Sequence, residues 1–239
     1  MSKDMDRVNI TPNGDTITVL HGDLRVHQFS GTKYALRSID SVIELAITKG
    51  SREHTVIFYT PAKVQMILDD SLMDRPQDYA SYEFAMSEAW KEWKAVLDKA
   101  LSQKEFVDFL RRRPDGELSN IEGLLAVVQR LSLATEIVGD YRYDDVNNVT
   151  VMFKTKDAEG SAKLPRTLNL SVILLNESEF ISDVEIELEL HKPKSEDEKP
   201  LFILTCPKLN RYWLDATEEA IDRMKDSLQG WMILAGAMS

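Results

Sequence analysis

Apolar and polar residues alternate most regularly between residues 183 and 190. Four apolar residues fall on one side of an extended chain, namely Val184, Ile186, Leu188 and Leu190, and four acidic residues fall on the other, namely Asp183, Glu185, Glu187 and Glu189. This alternation predicts a β-strand with one packed face and one acidic face in water. The acidic face would also suit a basic partner or the basic groups of another subunit. Similar patterns over residues 164–175 and 201–205, joined by short connections, predict an antiparallel meander.

The period changes to that of a helix in the middle of the chain. Trp90 and Trp93 are three residues apart and share one face of a helix predicted over residues 88–100. Ser102 and Glu105 have the spacing of a capping box, which predicts that a second helix starts there. We assign a structural role, in a core or an interface, to the large apolar residues of this block, namely Trp90, Trp93, Phe106, Phe109 and Leu110.

Two further helix starts lie downstream. A serine–glutamate pair at Ser119 and Glu122 repeats the capping-box spacing. Asp215 opens a last helix that is predicted to end at Gly230. The apolar residues 230–239 are too few to span a membrane, so we expect them to pack on the core or on a neighbouring subunit.

The N-terminal half mixes strand and helix signals. Ser38 is a suitable N-cap, apolar residues follow it at helical spacing, and Gly50 stands where that helix would end. Residues 61–69 allow a strand over residues 64–69 or a helix with Pro61 in its first position. The other predicted strands are residues 16–20, 24–29, 54–59 and 82–86.

Together these elements predict an α+β fold with an N-terminal strand-rich lobe, central helices and a C-terminal antiparallel β-meander closed by a C-terminal helix. We expect a flexible polar arm over residues 1–15 and a single domain over residues 16–239. Within that domain, sub-lobes over residues 16–87 and 134–239 would flank a helical middle over residues 88–133.

Composition narrows the setting of the protein. The chain has 239 residues and a net charge of −11, so a nucleic-acid partner, which needs a basic surface, is not expected. Its one cysteine, Cys206, excludes a disulfide within the chain and fits a reducing cytoplasm. No segment has the pattern of a membrane span or a secretion signal, so we predict a cytoplasmic protein without a membrane partner.

The same central block carries a resemblance to a known family. WKEW at residues 90–93 and SQKEFVDFL at residues 102–110 resemble the tryptophan and Q-x-E-F-x-x-F-L segment of the YfdQ-like prophage and phage proteins, a domain family of unknown function. HTVIFY with VQMILD, and LPRTLNLSVILL with VEIELEL, are similar to strands of that family. The resemblance covers residues 25–230. It implies a bacteriophage or prophage origin and an accessory role in the cytoplasm of the bacterial host cell, and it implies no catalytic residues.

Few residues of the chain point to chemistry. None of the four histidines, His21, His27, His54 and His191, has metal-binding helical spacing, and the common nucleotide-binding and serine-hydrolase motifs do not occur. We therefore predict no cofactor, no metal and no catalytic residue, and a buried thiol at Cys206. Two groups of aspartates on predicted turns are either solvated or a site for Mg²⁺ or Ca²⁺, namely Asp69, Asp70 and Asp74, and Asp140, Asp144 and Asp145.

Arginines near aromatic residues are the candidate contacts with a ligand or partner. Arg111 and Arg112 end the second central helix, where they offset its dipole or would meet a phosphate or an acidic partner. Arg211, Tyr212 and Trp213 precede the last helix and have the composition of a surface that stacks on a base.

These observations lead to three functional hypotheses. The first is a non-enzymatic phage or prophage accessory protein that acts by protein binding or homo-oligomeric assembly, with copies of itself or a host or phage protein as partner. The alternative is a small-molecule or nucleotide-binding protein that sequesters its ligand through the arginine and aromatic candidates. The third is a metal-dependent enzyme built on the aspartate turns. We adopt the first.

Overall fold

The computed structural model describes residues 6–10, 17–21, 31–71, 77–132, 136–143, 148–154, 159–191 and 200–238. Within these ranges the helices are α1 (Ile39–Lys49), α2 (Glu88–Val96), α3 (Gln103–Arg111), α4 (Ile121–Ser132) and α5 (Leu209–Ser227). The strands are β1 (Asp6–Ile10), β2 (Ile17–His21), β3 (Lys33–Leu36), β4 (Val56–Tyr59), β5 (Lys63–Ile67), β6 (Tyr79–Glu83), β7 (Ala100–Ser102), β8 (Glu136–Tyr143), β9 (Asn148–Lys154), β10 (Glu159–Pro165), β11 (Thr167–Ile173), β12 (Ile181–His191), β13 (Leu201–Thr205) and β14 (Met232–Ala235). The predicted α+β fold is confirmed.

The N-terminal lobe is a five-stranded sheet in the order β14-β4-β5-β6-β3. Strands β4, β5 and β6 form an antiparallel meander, and the two outer strands run parallel to their neighbours. One face of the sheet is buried, with Ile57 and Met66 opposite each other in register and almost fully covered. Helix α1 packs on β3, β6 and α5. Its start and end are as predicted, since the Ser38 side chain accepts from the Ser41 N–H and Gly50 follows its last residue.

The second sheet, in the order β11-β12-β13-β7, is antiparallel throughout. The alternation predicted for β12 is confirmed, because Val184, Ile186 and Leu188 are buried while Asp183 on the opposite face is exposed. The capping box at Ser102 is confirmed as well, and the helix that it starts packs on this sheet. The rings of Phe106 and Phe202 stack there with centroids 4.9 Å apart.

Several helix boundaries differ from the prediction. The helix expected to start at Ser119 begins at Ile121, and the last helix ends at Ser227, three residues before Gly230. The helix predicted over residues 88–100 ends at Val96, because Asp98 has a φ of 59° and residues 100–102 pair with β13 instead. The last helix starts at Leu209 and not at Asp215. The prediction that Arg211, Tyr212 and Trp213 precede this helix was therefore wrong, and they lie in its first turns.

Strand boundaries also shift. The strand predicted over residues 82–86 occupies Tyr79–Glu83, and Met86 forms an isolated bridge with Leu175. The segment predicted as one strand over residues 164–175 is divided after Pro165, so its first two residues belong to β10. Residues 61–69 contain strand β5, which settles the earlier alternative against a helix.

Other predictions concern the chain ends and the membrane. Residues 6–10, inside the predicted polar arm, pair antiparallel with Ile17–His21, and the rest of the arm lies outside the described residues, as does the strand predicted over residues 24–29. No helix in the described ranges is long and apolar enough to cross a membrane.

Candidate functional site

Strand β14 lies at one edge of the N-terminal sheet and is our candidate site. It runs parallel to β4, with Met232 opposite Val56 and Leu234 opposite Phe58. The described part of the chain supplies no strand on its other side. Gly230, with a φ of 82°, lies between helix α5 and this strand and provides the left-handed turn that favours glycine. The C-terminal segment therefore docks on the core of its own chain, and among the described residues the outer edge of β14 has no partner strand.

The strand is held in place at both ends. At its start, the Trp231 ring lies so close to Gly50 that a Cβ there would be 2.9 Å from it. At its end, the Gly236 N–H donates to the Tyr59 carbonyl at 2.9 Å. The Met238 N–H donates to Gln65 Oε1 at 3.3 Å. These anchors fix the geometry of the open edge.

The side chains that β14 exposes to solvent include two large apolar ones. Met232 and Leu234 are 52% and 44% exposed, whereas Ile233 between them packs against the core. Successive residues of a parallel strand turn their N–H and C=O groups to alternate sides. Since Gly236 bonds to β4, the backbone groups of Ile233 and Ala235 point away from it. Lysine, proline and β-bulges usually protect such edges, and residues 229–238 contain no lysine, no proline and no charged residue.

The arginine and aromatic candidates do not converge in the structure. Arg111 and Arg112 are exposed at the end of α3, and Arg112 Nε donates to the Asp108 carbonyl at 3.0 Å. Arg211 Nε lies 2.8 Å from Asp215 Oδ1, one turn further along α5. Across the described chain, no hydrogen bond or ion pair joins the α3 group to the α5 group. Three cavities lined by described residues include none of these five side chains.

Residues at the start of α5 instead cover part of the acidic face of β12. The Tyr212 hydroxyl accepts a hydrogen bond from the Glu185 N–H at 3.2 Å. Lys208 Nζ lies 2.9 Å from the Glu185 carboxylate, and this bond raises the pKa of Lys208. Cys206 is half-buried, its Sγ donates to the Glu185 carbonyl at 3.6 Å, and burial raises the pKa of its thiol. Trp213 is half-buried too.

All five residues to which we assigned a structural role are buried, namely Trp90, Trp93, Phe106, Phe109 and Leu110. The rings of Trp93 and Phe109 meet edge to face with centroids 4.8 Å apart. The guanidinium of Arg113 lies over the Phe109 ring, 4.6 Å from its centroid. The aromatic residues of the central block thus pack around the guanidinium of Arg113.

The central block contains a buried ion pair that was not predicted from the sequence. Only 4% of the Arg113 side chain and 6% of the Glu117 side chain are exposed, and Arg113 Nη1 lies 3.9 Å from Glu117 Oε2. Arg113 also pairs with the half-exposed Glu92. An arginine and a glutamate four residues apart across the turn at residues 114–116 were the available signal.

The aspartate turns are described only in part. Asp69 accepts hydrogen bonds from Ser71 N at 3.0 Å and Ser71 Oγ at 2.6 Å, and these bonds lower the pKa of its carboxyl group. Asp140 lies in strand β8, and Asp74, Asp144 and Asp145 fall outside the described residues. In the portion of the chain that the structure describes, no three or more His, Cys, Asp or Glu residues are grouped as a metal would require.

Comparison of the chain with protein-family models, with curated proteins and with solved structures found no match.

Proposed function

We propose that this chain is a non-enzymatic accessory protein that acts by pairing with a second copy of itself along β14. The observation that carries the proposal is the uncharged, unprotected edge with Met232 and Leu234 exposed beside it. The resemblance of residues 90–110 to the YfdQ-like proteins supports a bacteriophage or prophage origin and a place in the bacterial cytoplasm.

The edge is suited to a two-fold interface, in which both copies use the same surface. In an antiparallel pair centred on Leu234, the outward backbone groups of Ile233 in one copy meet those of Ala235 in the other. Leu234 then lies opposite Leu234 of the second copy at a position without backbone hydrogen bonds, where the Cα atoms are about 4.5 Å apart. In this register the outward N–H and C=O groups of both Ile233 and Ala235 form hydrogen bonds with the other copy.

Charge favours this edge as the place where two copies meet. Two chains of net charge −11 repel each other over most of their surfaces. The stretch from residue 229 to residue 238 carries no charge, so two copies can approach there at the lowest electrostatic cost. A basic protein would be drawn to the acidic face of β12 instead. In this register three residues of β14 in each copy pair with β14 of the other, so the interface is small and we expect a weak, concentration-dependent dimer.

The test is sedimentation velocity on the wild type and two variants over a range of protein concentrations. Ala235→Pro removes an outward N–H that β4 does not use, so the monomer should stay folded while the dimer is lost. Ala235→Val keeps that N–H and should still form a dimer. A wild type that stays monomeric would refute the proposal. If the Ala235→Pro variant still forms a dimer, the protein self-associates but does not do so through the edge of β14.

The nucleotide alternative receives no support from the placement of Arg112 and Arg211, because each of them bonds to a residue of its own helix.

A further inference from the structure

A cavity of about 190 Å³ opens between strand β6 of the five-stranded sheet and the connection that joins β11 to β12. The start of α1, strand β6, the connection between β11 and β12, and the middle of α5 form its walls. Its apolar lining comprises Ile39, Leu175, Phe180, Ala216 and Ala220. The connection is fixed in place, because the Asn176 N–H donates to the Ala85 carbonyl at 2.8 Å and Leu175 forms a bridge with Met86. Drug-sized ligands occupy pockets of about 300–1,000 Å³, so this one is suited to a smaller molecule.

A buried tyrosine, Tyr82, lines this cavity. Tyr82 is only 3% exposed, yet among the described residues its hydroxyl makes no hydrogen bond. Its ring is held by an edge-to-face contact with Phe84, at 5.0 Å between centroids. Burial raises the pKa of Tyr82 to about 12, and the carboxylates of Glu177 and Asp40 act in the same direction. The phenol is therefore neutral, and its oxygen can accept a hydrogen bond from a ligand in the cavity.

The charged residues around the cavity favour a cation. Asp40, Glu177 and Glu219 contribute three carboxylates, and Arg223 contributes the single guanidinium. That guanidinium is already paired, with Arg223 Nη2 2.8 Å from Asp40 Oδ1. Phe180, which is 43% exposed, adds a ring that can face a cation. The cavity thus has an excess of negative charge, an apolar wall and an unused acceptor.

We infer that this cavity binds a small organic cation, an alkylammonium whose short aliphatic chain lies on the apolar wall and whose ammonium group meets the Tyr82 hydroxyl and the Glu177 carboxylate. An ammonium group has N–H donors for both acceptors. This inference is independent of the proposed self-assembly, because it uses none of the residues of β14. Binding a small cation would be a second activity of the chain.

The test is a titration with n-butylammonium chloride, monitored through the backbone amide signals in NMR spectra. Two compounds of similar chain length serve as controls. Butyrate carries a negative charge and n-butanol carries none, so they show whether binding requires a positive charge. We expect saturable shifts with n-butylammonium that centre on residues 175–180 and 216–223 and that are absent with butyrate. Glu177→Gln should weaken binding about three- to fivefold, because it removes one exposed charge pair with the ligand. Glu179→Gln, an exposed neighbour outside the cavity lining, is the matched control and should bind like the wild type.

Two further variants address the cavity itself. Tyr82→Phe removes only the hydroxyl and should weaken binding by about three- to tenfold. Ala220→Leu fills the space and should abolish binding. If Ala220→Leu does not fold, the surface variant Glu177→Gln still tests whether the cavity binds the cation. Equal binding of butyrate or n-butanol, or an affinity unchanged by both Glu177→Gln and Tyr82→Phe, would overturn the inference.

Discussion

The indole nitrogen of Trp93 donates a 2.8 Å hydrogen bond to Oε1 of Glu117, which lies 24 residues later in the chain. The other carboxylate oxygen, Oε2, faces Arg113 and makes no hydrogen bond, and Arg113 Nε is in the same situation. A buried charge of this kind depends on its partner, because neither group can return to water without local unfolding. The bond connects helix α2 to the turn after α3.

Glu117→Ala should therefore lower the free energy of unfolding by about 3–5 kcal/mol, because Arg113 is left buried with only the half-exposed Glu92 as a partner. Urea denaturation followed by circular dichroism measures the change. The control is Glu53→Ala, whose side chain is 86% exposed and whose removal should cost less than about 0.5 kcal/mol. Similar losses for both variants would contradict a structural role for the buried pair.

Ser102→Ala should destabilise the fold by about 1 kcal/mol, since the Ser102 side chain caps α3 by accepting from the Glu105 N–H. Chemical denaturation of the variant tests this expectation. Ser227→Ala, an exposed serine at the end of α5, serves as the comparison and should be nearly neutral. A neutral Ser102→Ala would mean that packing alone holds this helix start.

The same capping box predicts a pH dependence. Hydrogen bonds from the Ser102 side chain and backbone hold the pKa of Glu105 below its usual 4.5. A lowered folded-state pKa stabilises the fold above the unfolded value, and that contribution is lost as the pH falls through the folded value. The stability difference between the wild type and Glu105→Gln should thus be present near neutral pH and shrink below pH 4.5. A difference that stays constant into acid would count against this assignment.

For Gly50→Ala, two physical effects predict opposite changes in the free energy of unfolding. The φ of Gly50 is −85°, which any residue adopts, so backbone entropy alone predicts a small gain in stability. An added Cβ would however lie 2.6 Å from the Ala46 carbonyl oxygen and 2.7 Å from Thr55 Oγ1. We expect a loss of about 1–3 kcal/mol through overpacking, measured by urea denaturation. A stabilised variant would show that α1 can move away from the Trp231 ring at no cost.

The two-fold pairing of β14 can be trapped as a covalent dimer. In a Cys206→Ser background, Leu234→Cys places two thiols opposite each other at a Cα separation of about 4.5 Å, within the range that a disulfide spans. Mild oxidation should yield a dimer on a non-reducing gel. Ile181→Cys, on β12 and 59% exposed in the wild type, should remain monomeric under the same conditions. Equal crosslinking of both variants would indicate random collision instead of a defined register.

Local signals predicted those parts of the fold that local forces determine. The caps at Ser38 and Ser102 and the alternation along β12 each depend on residues a few positions apart, and the structure has them as expected. The prediction of where α5 starts was wrong because its N-cap residue, Lys208, makes no side-chain hydrogen bond. The sequence therefore contains no capping residue that marks this helix start. The three-residue strand β7 exists only through its pairing with β13, about a hundred residues away in sequence.

The candidate sites were even less accessible from the sequence. Arg111, Arg112 and Arg113 are adjacent and identical in type, yet only Arg113 is buried, because the chain leaves the helix at Arg112 and turns Arg113 towards Glu117. The open edge at β14 depends on which strand it joins, and the cavity beside Tyr82 draws on four separate elements. Tertiary packing decides all three features, and no short window of sequence contains them.

The pairing of β14 with β4 also determines when the N-terminal sheet is completed during synthesis. Strand β4 is made early, and the strand that covers its edge follows only after more than 170 further residues have left the ribosome. Closing so large a loop is entropically costly, so this contact belongs among the late steps of folding. Until then β4 presents its own bare edge and the apolar Ile57 and Phe58 to other nascent chains. The nascent chain should therefore be most prone to misassembly before residue 235 emerges, and a chaperone that acts on it would be most useful in that interval.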